Sequence, residues 1–185
     1  MSGPLATTAR LSIWRLRAVP GGPAAIAAYE HANAAHLATH DAELPGAGSE
    51  AHWQAEATAE PDDLRAASRV QLVFTVADEI VGHCALRFAR GPRQTAHLAF
   101  GLAHAAVGRG LAHEALARVL RDVHADLDVH RVEAQYLPEN ARAAALLARL
   151  GFRVEGVARG ALRVRGAWRD LFVAARLPDD PLEAS

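Results

Sequence analysis

The most restrictive feature of this sequence is a strand-like run that leads through a glycine loop into an amphipathic helix. The run covers Ala96 to Leu102, and the loop reads Val107-Gly108-Arg109-Gly110-Leu111-Ala112. The first N–H groups of a helix have no partners within it, and the positive end of the helix dipole favours an anion there. The loop therefore predicts a ligand with phosphate groups, although a Gly-x-Gly loop at a helix start is equally typical of a tight turn.

Strand and helix patterns alternate along the whole chain. The predicted strands are Leu11 to Val19, Val70 to Val76, Ile80 to Ala89, Thr95 to Ala103, His130 to Leu137, Phe152 to Arg165 and Trp168 to Leu177. The predicted helices are Ala24 to Leu37, Glu50 to Ala67 with Ser49 as cap, Arg109 to His124, and one from Pro138-Glu139-Asn140 to Gly151. This order predicts a mixed α/β fold of mostly antiparallel hairpins, in which the strands on either side of the Arg109 helix are parallel neighbours.

Length and composition favour one domain over residues 1–185, with tails at 1–10 and 178–185. The sequence shows no membrane span and no signal-peptide pattern, which predicts a cytoplasmic protein. Cys84 is the single cysteine, so the chain can form neither an internal disulfide nor a thiolate metal cluster. The loop Pro45-Gly46-Ala47-Gly48 is a candidate lid.

The charges are unevenly distributed along the chain. Residues 18–64 carry eight acids and no arginine, whereas residues 142–169 carry seven arginines and one acid, Glu155. Such runs are usually solvated faces. The functional alternative is an acidic front that attracts a cationic substrate and a basic flank that meets phosphates or an anionic partner.

Further motifs extend the pattern of the glycine loop. They are Arg90-Gly91, Gln94, His97-Leu98, Glu114-Ala115-Leu116, His130-Arg131, Tyr136, Pro138-Glu139-Asn140, Leu150-Gly151-Phe152, Glu155-Gly156, Ala158-Arg159, Gly166 and Trp168-Arg169-Asp170. Together these residues resemble the GNAT superfamily of acyl-CoA-dependent N-acetyltransferases, whose signature is Gln/Arg-x-x-Gly-x-Gly/Ala. The similarity is strongest to the S5-type ribosomal-protein-alanine acetyltransferases. It covers Arg90 to Leu177, and before that only Asn33 and His36-Leu37 match.

The resemblance implies a GNAT fold: a mixed, mostly antiparallel, twisted sheet of six or seven strands with helices on both faces. It implies that a bulge splays the central parallel pair, so that acetyl-CoA lies between them. The expected cofactor-binding residues are Phe100, Gly101, Leu102, Val107, Gly108, Arg109, Gly110, Leu111, Ala112, Asn140 and Ala143. Asn140 also fits an ordinary helix cap. Val107 departs from the Gln/Arg of the signature, and Ala143 and Leu147 stand where relatives often carry Ser and a thiol-protonating Tyr.

The resemblance further implies direct attack of an amine on the thioester, with the oxyanion near a backbone N–H of the Phe100 to Leu102 strand. The expected catalytic residues are His97, Tyr136 and Asp170. His97 is the candidate base, because relatives often carry Glu there and imidazole titrates near neutrality; the alternative is a histidine satisfied on the sheet's other face. Tyr136 or water protonates the thiolate, unless Tyr136 only packs. Asp170 and Trp168 either orient the substrate or stabilise the last turn.

The sequence therefore predicts an acetyl-CoA-dependent N-acetyltransferase that acts on a protein N-terminus. Two alternatives stay open: the same reaction on a small amine, and a non-catalytic module that binds acyl-CoA. No membrane and no direct nucleic-acid partner is expected, and a homodimer is left open. No metal is expected, because His31, His36 and His40 lack the His-Glu-x-x-His arrangement. A dehydrogenase is disfavoured, since the loop lacks the third glycine of a dinucleotide fingerprint.

Overall fold

The computed structural model describes residues 3–38 and 48–182. The strands are β1 (Ala6–Thr7), β2 (Ser12–Arg15), β3 (Arg69–Val76), β4 (Glu79–Ala89), β5 (Thr95–Leu102), β6 (Arg131–Tyr136), β7 (Arg153–Val164) and β8 (Ala167–Arg176). The helices are α1 (Gly22–Leu37), α2 (Glu50–Ala59), α3 (Leu111–Asp126) and α4 (Ala141–Arg149). The strands form one sheet in the order β1-β2-β3-β4-β5-β6-β8-β7. Among the strands of the described residues, only β5 and β6 are parallel neighbours, as the sequence predicts.

The sequence predictions for the first part of the chain need three corrections. The sheet has eight strands within the described residues, because Ala6–Thr7, in the predicted tail 1–10, pairs with β2. The first predicted strand ends at Arg15, and a short 3-10 turn follows it. The second predicted helix ends at Ala59 and does not reach Ala67. It ends there because Pro61 has no N–H group and disfavours the helical conformation of the residue before it.

The predicted tail at 178–185 also contacts the domain over its described part. Arg153 Nη2 lies 2.8 Å from Asp180 Oδ1, and Leu182 packs against the main core. Residues 183–185 lie outside the described part of the chain.

Helices cover both faces of the sheet, as expected. Side chains alternate between the faces along β3: Leu72 and Phe74 lie in a core with α3 and α4, whereas Val73 lies in a second core with α1 and α2. Cys84 is fully buried in the first core, and burial raises the pKa of its thiol. Within the described residues no helix is long and apolar enough to span a bilayer.

The parallel pair splays at one end. Pairing between β5 and β6 stops at Leu98 and Ala134, while β5 continues to Leu102. The end of β6 stays with β8 instead, where Tyr136 pairs with Phe172 and Leu137 packs on the last hairpin. The prediction of a bulge in β5 is wrong, because β5 pairs with β4 in one unbroken register. The nearest register shift lies between β3 and β4.

Candidate functional site

A cavity of about 420 Å³ lies beside the end of β5, the glycine loop and the starts of α3 and α4. We call it the glycine-loop cavity. Its lining includes Phe100, Gly101, Leu102, Val107, Gly108, Gly110, Leu111, Ala112, Asn140 and Ala143. These are all the predicted cofactor-binding residues except Arg109, whose carbonyl oxygen accepts a hydrogen bond from Arg10 Nη1 at 2.8 Å.

The glycine loop presents backbone to this cavity. Gly108 and Gly110 have φ angles of 79° and 75°, the left-handed region that glycine adopts without a steric cost. Gly110 is the N-cap of α3, and no side chain caps this helix start. A Cβ atom at Gly108 would meet nothing within 4 Å, so open space lies in front of the loop. The loop thus leaves the N–H groups of Leu111 and Ala112, at the start of α3, facing this space, where they can bind an anion.

Arg142 and Arg149, both on α4, also line the glycine-loop cavity. They belong to the arginine run of the sequence and add positive charge to the same space. At the start of α4, Asn140 Oδ1 accepts a hydrogen bond from Ala143 N–H at 3.0 Å. The expected cap is confirmed, and the carboxamide nitrogen of Asn140 is left as the donor on the cavity side.

The backbone of β5 faces the splay. Ala103 N–H donates to Val81 O at 2.9 Å, so odd-numbered residues of β5 hydrogen-bond towards β4. The backbone groups of Phe100 and Leu102 therefore point towards β6, beyond the last paired residues. They can pair with an extended ligand as an added strand would, and their N–H groups can stabilise an oxyanion.

A second cavity of about 700 Å³ lies on the opposite face, between α1, α2 and strands β3 to β5. We call it the histidine cavity. Its polar lining residues are Glu30, His31, Ser49, His52, Arg69, Gln71, His83, Arg87 and His97. It shares Leu37, Phe100 and Gly101 with the glycine-loop cavity. The two cavities therefore meet at the splayed end of β5.

His83 and Glu30 form a pair beside this junction. His83 Nε2 lies 2.9 Å from Glu30 Oε1, and their side chains are 19% and 21% exposed. The rings of Tyr29 and Trp53 pack edge-on against the imidazole, each at 5.8 Å. His83 pairs with Gly101 across the strands, and a Cβ atom at Gly101 would lie 3.3 Å from its Nε2. The pair can accept a proton at the point where the cavities join.

The sequence analysis did not identify this pair. Its signal in the sequence is the alternation along β4, where His83, Ala85 and Arg87 share the face opposite the buried Cys84. A charged and titratable side chain at that spacing marks a polar face. Nothing local links β4 to Glu30, because the contact depends on how α1 packs over the sheet.

The model of one protein family, described as acetyltransferase (GNAT) domain, matches residues 22–153. The chain belongs to the GNAT family. Among curated proteins, the [ribosomal protein uS5]-alanine N-acetyltransferase of Escherichia coli is 38% identical over 91 residues, which are 49% of this chain and 47% of that protein. A probable N-acetyltransferase of Bacillus subtilis, YjcK, is 36% identical over 58% of this chain and 61% of its own length. The chain thus aligns with about half to three-fifths of these relatives.

Solved structures show the same GNAT fold. A ribosomal-protein-S5-alanine acetyltransferase from Vibrio fischeri superposes with a TM-score of 0.86 at 23% identity, covering 95% of this chain and 97% of that one. Mycobacterium smegmatis RimJ, solved in complex with CoA-disulfide, superposes with a TM-score of 0.79 at 27% identity. It covers 91% of this chain and 81% of RimJ.

The three predicted catalytic residues occupy different places in this GNAT domain. His97 lines the histidine cavity, on the same face of β5 as Gly101. Burial lowers the pKa of its imidazole; Glu133 acts to raise that pKa and Arg87 to lower it. His97 lies four positions before Gly101 in β5, which corresponds to about 13 Å along a strand. His97 therefore lies at the far end of the cavity from the junction.

Tyr136 and Asp170 line neither cavity. Tyr136 lies in the core, where its ring packs against Phe172 with centroids 5.6 Å apart. Asp170 Oδ1 accepts a hydrogen bond from Gly160 N–H at 2.8 Å within the last hairpin. These contacts match the alternatives of packing for Tyr136 and turn stabilisation for Asp170.

Three of the eight acids in residues 18–64 pair with arginine in the described part of the chain. Ion pairs at 2.6–3.0 Å join Glu56 to Arg69, Glu60 to Arg15 and Asp62 to Arg17. Asp41, Glu43, His40 and residues 45–47 of the candidate lid lie outside the described residues. In the described part of this GNAT domain, no three His, Cys, Asp or Glu side chains are grouped as a metal site.

Proposed function

We propose that this GNAT domain transfers an acetyl group from acetyl-CoA to the N-terminal amino group of a protein. The observation that carries the proposal is the meeting of two cavities, from opposite faces of the sheet, at Phe100 and Gly101. A donor on one side and an acceptor on the other would come together only at that junction. The names of the curated relatives support the same activity.

The glycine-loop cavity fits acetyl-CoA. The uncapped start of α3 behind Gly108 and Gly110 offers N–H groups to a diphosphate, and Arg142 and Arg149 supply positive charge. The backbone of Phe100 and Leu102 would bond the amides of the pantetheine arm, as a neighbouring strand would. The thioester carbon would then stand at the junction with the histidine cavity.

The residues at the junction can carry out each part of the transfer. The neutral amine nitrogen would form a bond to the thioester carbon, and the C–S bond would break. A backbone N–H of the Phe100–Leu102 segment would stabilise the developing oxyanion. The proton of the incoming ammonium would pass to the Glu30–His83 pair. The nitrogen would lose a second proton as the amide forms, and water would carry it to the departing thiolate, since Tyr136 packs in the core.

We assign the general base to the Glu30–His83 pair and not to His97. The pair lies next to Gly101, whereas His97 is about 13 Å away along β5. An α-amino group has a reference pKa near 8, against about 10.4 for lysine, so a partly shielded carboxylate–imidazole pair suffices to take its proton. This favours an N-terminal amine over a lysine side chain as the acceptor.

The decisive experiment is thiol release from acetyl-CoA with purified protein. Peptides that begin with Ala or Ser would be compared with small polyamines and with no acceptor. Release with peptides, together with a mass gain of one acetyl group at the N-terminus, would support the proposal. Release with polyamines alone would indicate a small-amine acetyltransferase. Binding of acetyl-CoA without release would indicate a module that only binds the cofactor.

A further inference from the structure

The histidine cavity has opposite charges at its two ends. Glu30 stands at the junction end, beside Gly101. Arg87 stands at the other end, because β4 and β5 pair in the successive rows His83–Gly101, Ala85–Ala99 and Arg87–His97. At about 3.3 Å per residue, the first and last of these rows are about 13 Å apart.

In the described part of the chain, Glu56 and Glu133 form ion pairs with arginines other than Arg87. The cross-strand neighbour of Arg87, Arg69, is paired with Glu56, with Nη1 and Oε1 2.8 Å apart. Glu133, which lies beside His97 in the parallel pair, forms an ion pair with Arg131 at 2.9 Å. No ion pair joins Arg87 to an acidic side chain in the residues that the structure describes, and Arg87 is exposed at the cavity lining.

On β4 and β5, the row between the two charged ends carries only methyl groups, and Gln71, which pairs with Ala85, extends this row on β3. Ala85 and Ala99 offer neither a charge nor a hydrogen-bonding side chain. An extended peptide could therefore lie over this row with its α-ammonium group near Glu30. Its chain would then continue towards Arg87.

We infer that the histidine cavity selects protein N-termini that carry a carboxylate side chain at the third or fourth residue. The inference rests on the proposed function. An extended chain advances about 3.3–3.6 Å per residue, so the third and fourth Cα atoms lie about 7–11 Å beyond the first. The long side chains of arginine and glutamate span the remaining distance to Arg87. The ammonium group meets Glu30 while the carboxylate meets Arg87.

The test compares otherwise identical Ser-initiated peptides of eight alanine-rich residues. Each carries Glu, Gln or Lys at position 3 or 4, and a further peptide carries Glu at position 7, beyond the reach of Arg87. For the unmodified protein we expect kcat/KM to be about fivefold higher with Glu than with Gln at position 3 or 4, and lowest with Lys. The advantage of Glu should be absent at position 7 and should shrink as salt rises.

Charge reversal at Arg87 makes the test specific. Arg87→Glu should reverse the preference so that Lys peptides react faster than Glu peptides, and Arg87→Gln should abolish it. Arg121→Glu is the matched control, because Arg121 is an exposed residue of α3 outside both cavities. It makes the same change in net charge and should leave the peptide preference unchanged.

Two outcomes separate this inference from the proposed function. If all peptides are acetylated at equal rates, or if Arg87→Glu leaves the order of preference unchanged, selection by Arg87 is wrong while N-terminal acetylation stands. If no peptide is acetylated by the unmodified protein, the proposed function itself fails.

Discussion

Gly101 and His83 are so close that a side chain at position 101 would fit only if neighbouring side chains shifted. A Cβ atom at position 101 would lie 3.3 Å from His83 Nε2, and Leu37 Cδ2 would be 3.1 Å away on another side. The backbone of Gly101 does not adopt a positive φ angle, so strain is not the reason for glycine here. Its hydrogen keeps the junction between the two cavities open.

Gly101→Ala should therefore lower activity more than stability. We expect kcat/KM with a peptide acceptor to fall by about tenfold to a hundredfold, because the new methyl group displaces the reacting groups. The melting temperature should change little. Gly156→Ala is the control, since its Cβ atom would meet nothing within 4 Å. Equal activity of the two variants would contradict the assignment of the junction.

Removing the proton acceptor should slow the transfer without weakening cofactor binding. Glu30→Gln and His83→Gln should each reduce kcat by about a hundredfold at pH 7, while the Kd of CoA stays the same. The deficit should shrink towards pH 9, because the α-amino group, with a reference pKa near 8, then loses its proton to solvent. Rates across pH 6–9 and calorimetric titration with CoA measure both effects.

Glu79→Gln and His130→Gln serve as controls for this pair, since both residues are exposed and line neither cavity. A deficit that stays constant from pH 6 to pH 9 would indicate a structural role for Glu30 and His83. It would argue against proton transfer to them.

Two glycine substitutions separate phosphate binding from backbone strain. Gly108 and Gly166 have φ angles of 79° and 78°, and a Cβ atom at either would meet nothing within 4 Å. Alanine should therefore cost about 1 kcal/mol of unfolding free energy at each position. Only Gly108→Ala should also weaken CoA binding, by about tenfold or more, because its methyl group enters the glycine-loop cavity. Equal CoA affinities in the two variants would show that the glycine loop is not part of the CoA-binding site.

His97 is expected to affect pH-dependent stability more than catalysis. Burial lowers the pKa of His97 in the folded protein, whereas the unfolded chain has the reference value near 6.5. Below pH 6.5 the unfolded state therefore binds more protons at this site, and stability falls as pH falls towards the lower folded value. His97→Gln should reduce the drop in the urea midpoint between pH 7.5 and pH 5.

The same variant tests the catalytic role that the sequence predicts for His97. Its rate at pH 7 should stay close to that of the unmodified protein, because His97 is about 13 Å from the junction. A large loss of kcat at pH 7 that is recovered at pH 9 would identify His97 as the general base and contradict the assignment to Glu30 and His83.

Features that depend on nearby residues were predictable from the sequence. Asn140 caps α4 and Ser49 caps α2, because each of these roles depends on groups within one helical turn. The glycine loop was predictable for the same reason, and it indicated the position of the glycine-loop cavity. The predicted start of α3 at Arg109 lies two residues before the observed start at Leu111. Local patterns misjudged only extents, such as the end of α2 and the extra edge strand at Ala6–Thr7.

The histidine cavity was decided by tertiary structure alone. Glu30 reaches His83 only because α1 packs over the face of β4 opposite Cys84, and no sequence spacing encodes that packing. The distance that separates His97 from the junction follows from strand register, which a single sequence leaves open. The sequence thus determined the glycine loop and the helix start behind it, through local backbone geometry. The fold decided which distant side chains meet where the two cavities join, because that depends on how α1 packs against the sheet.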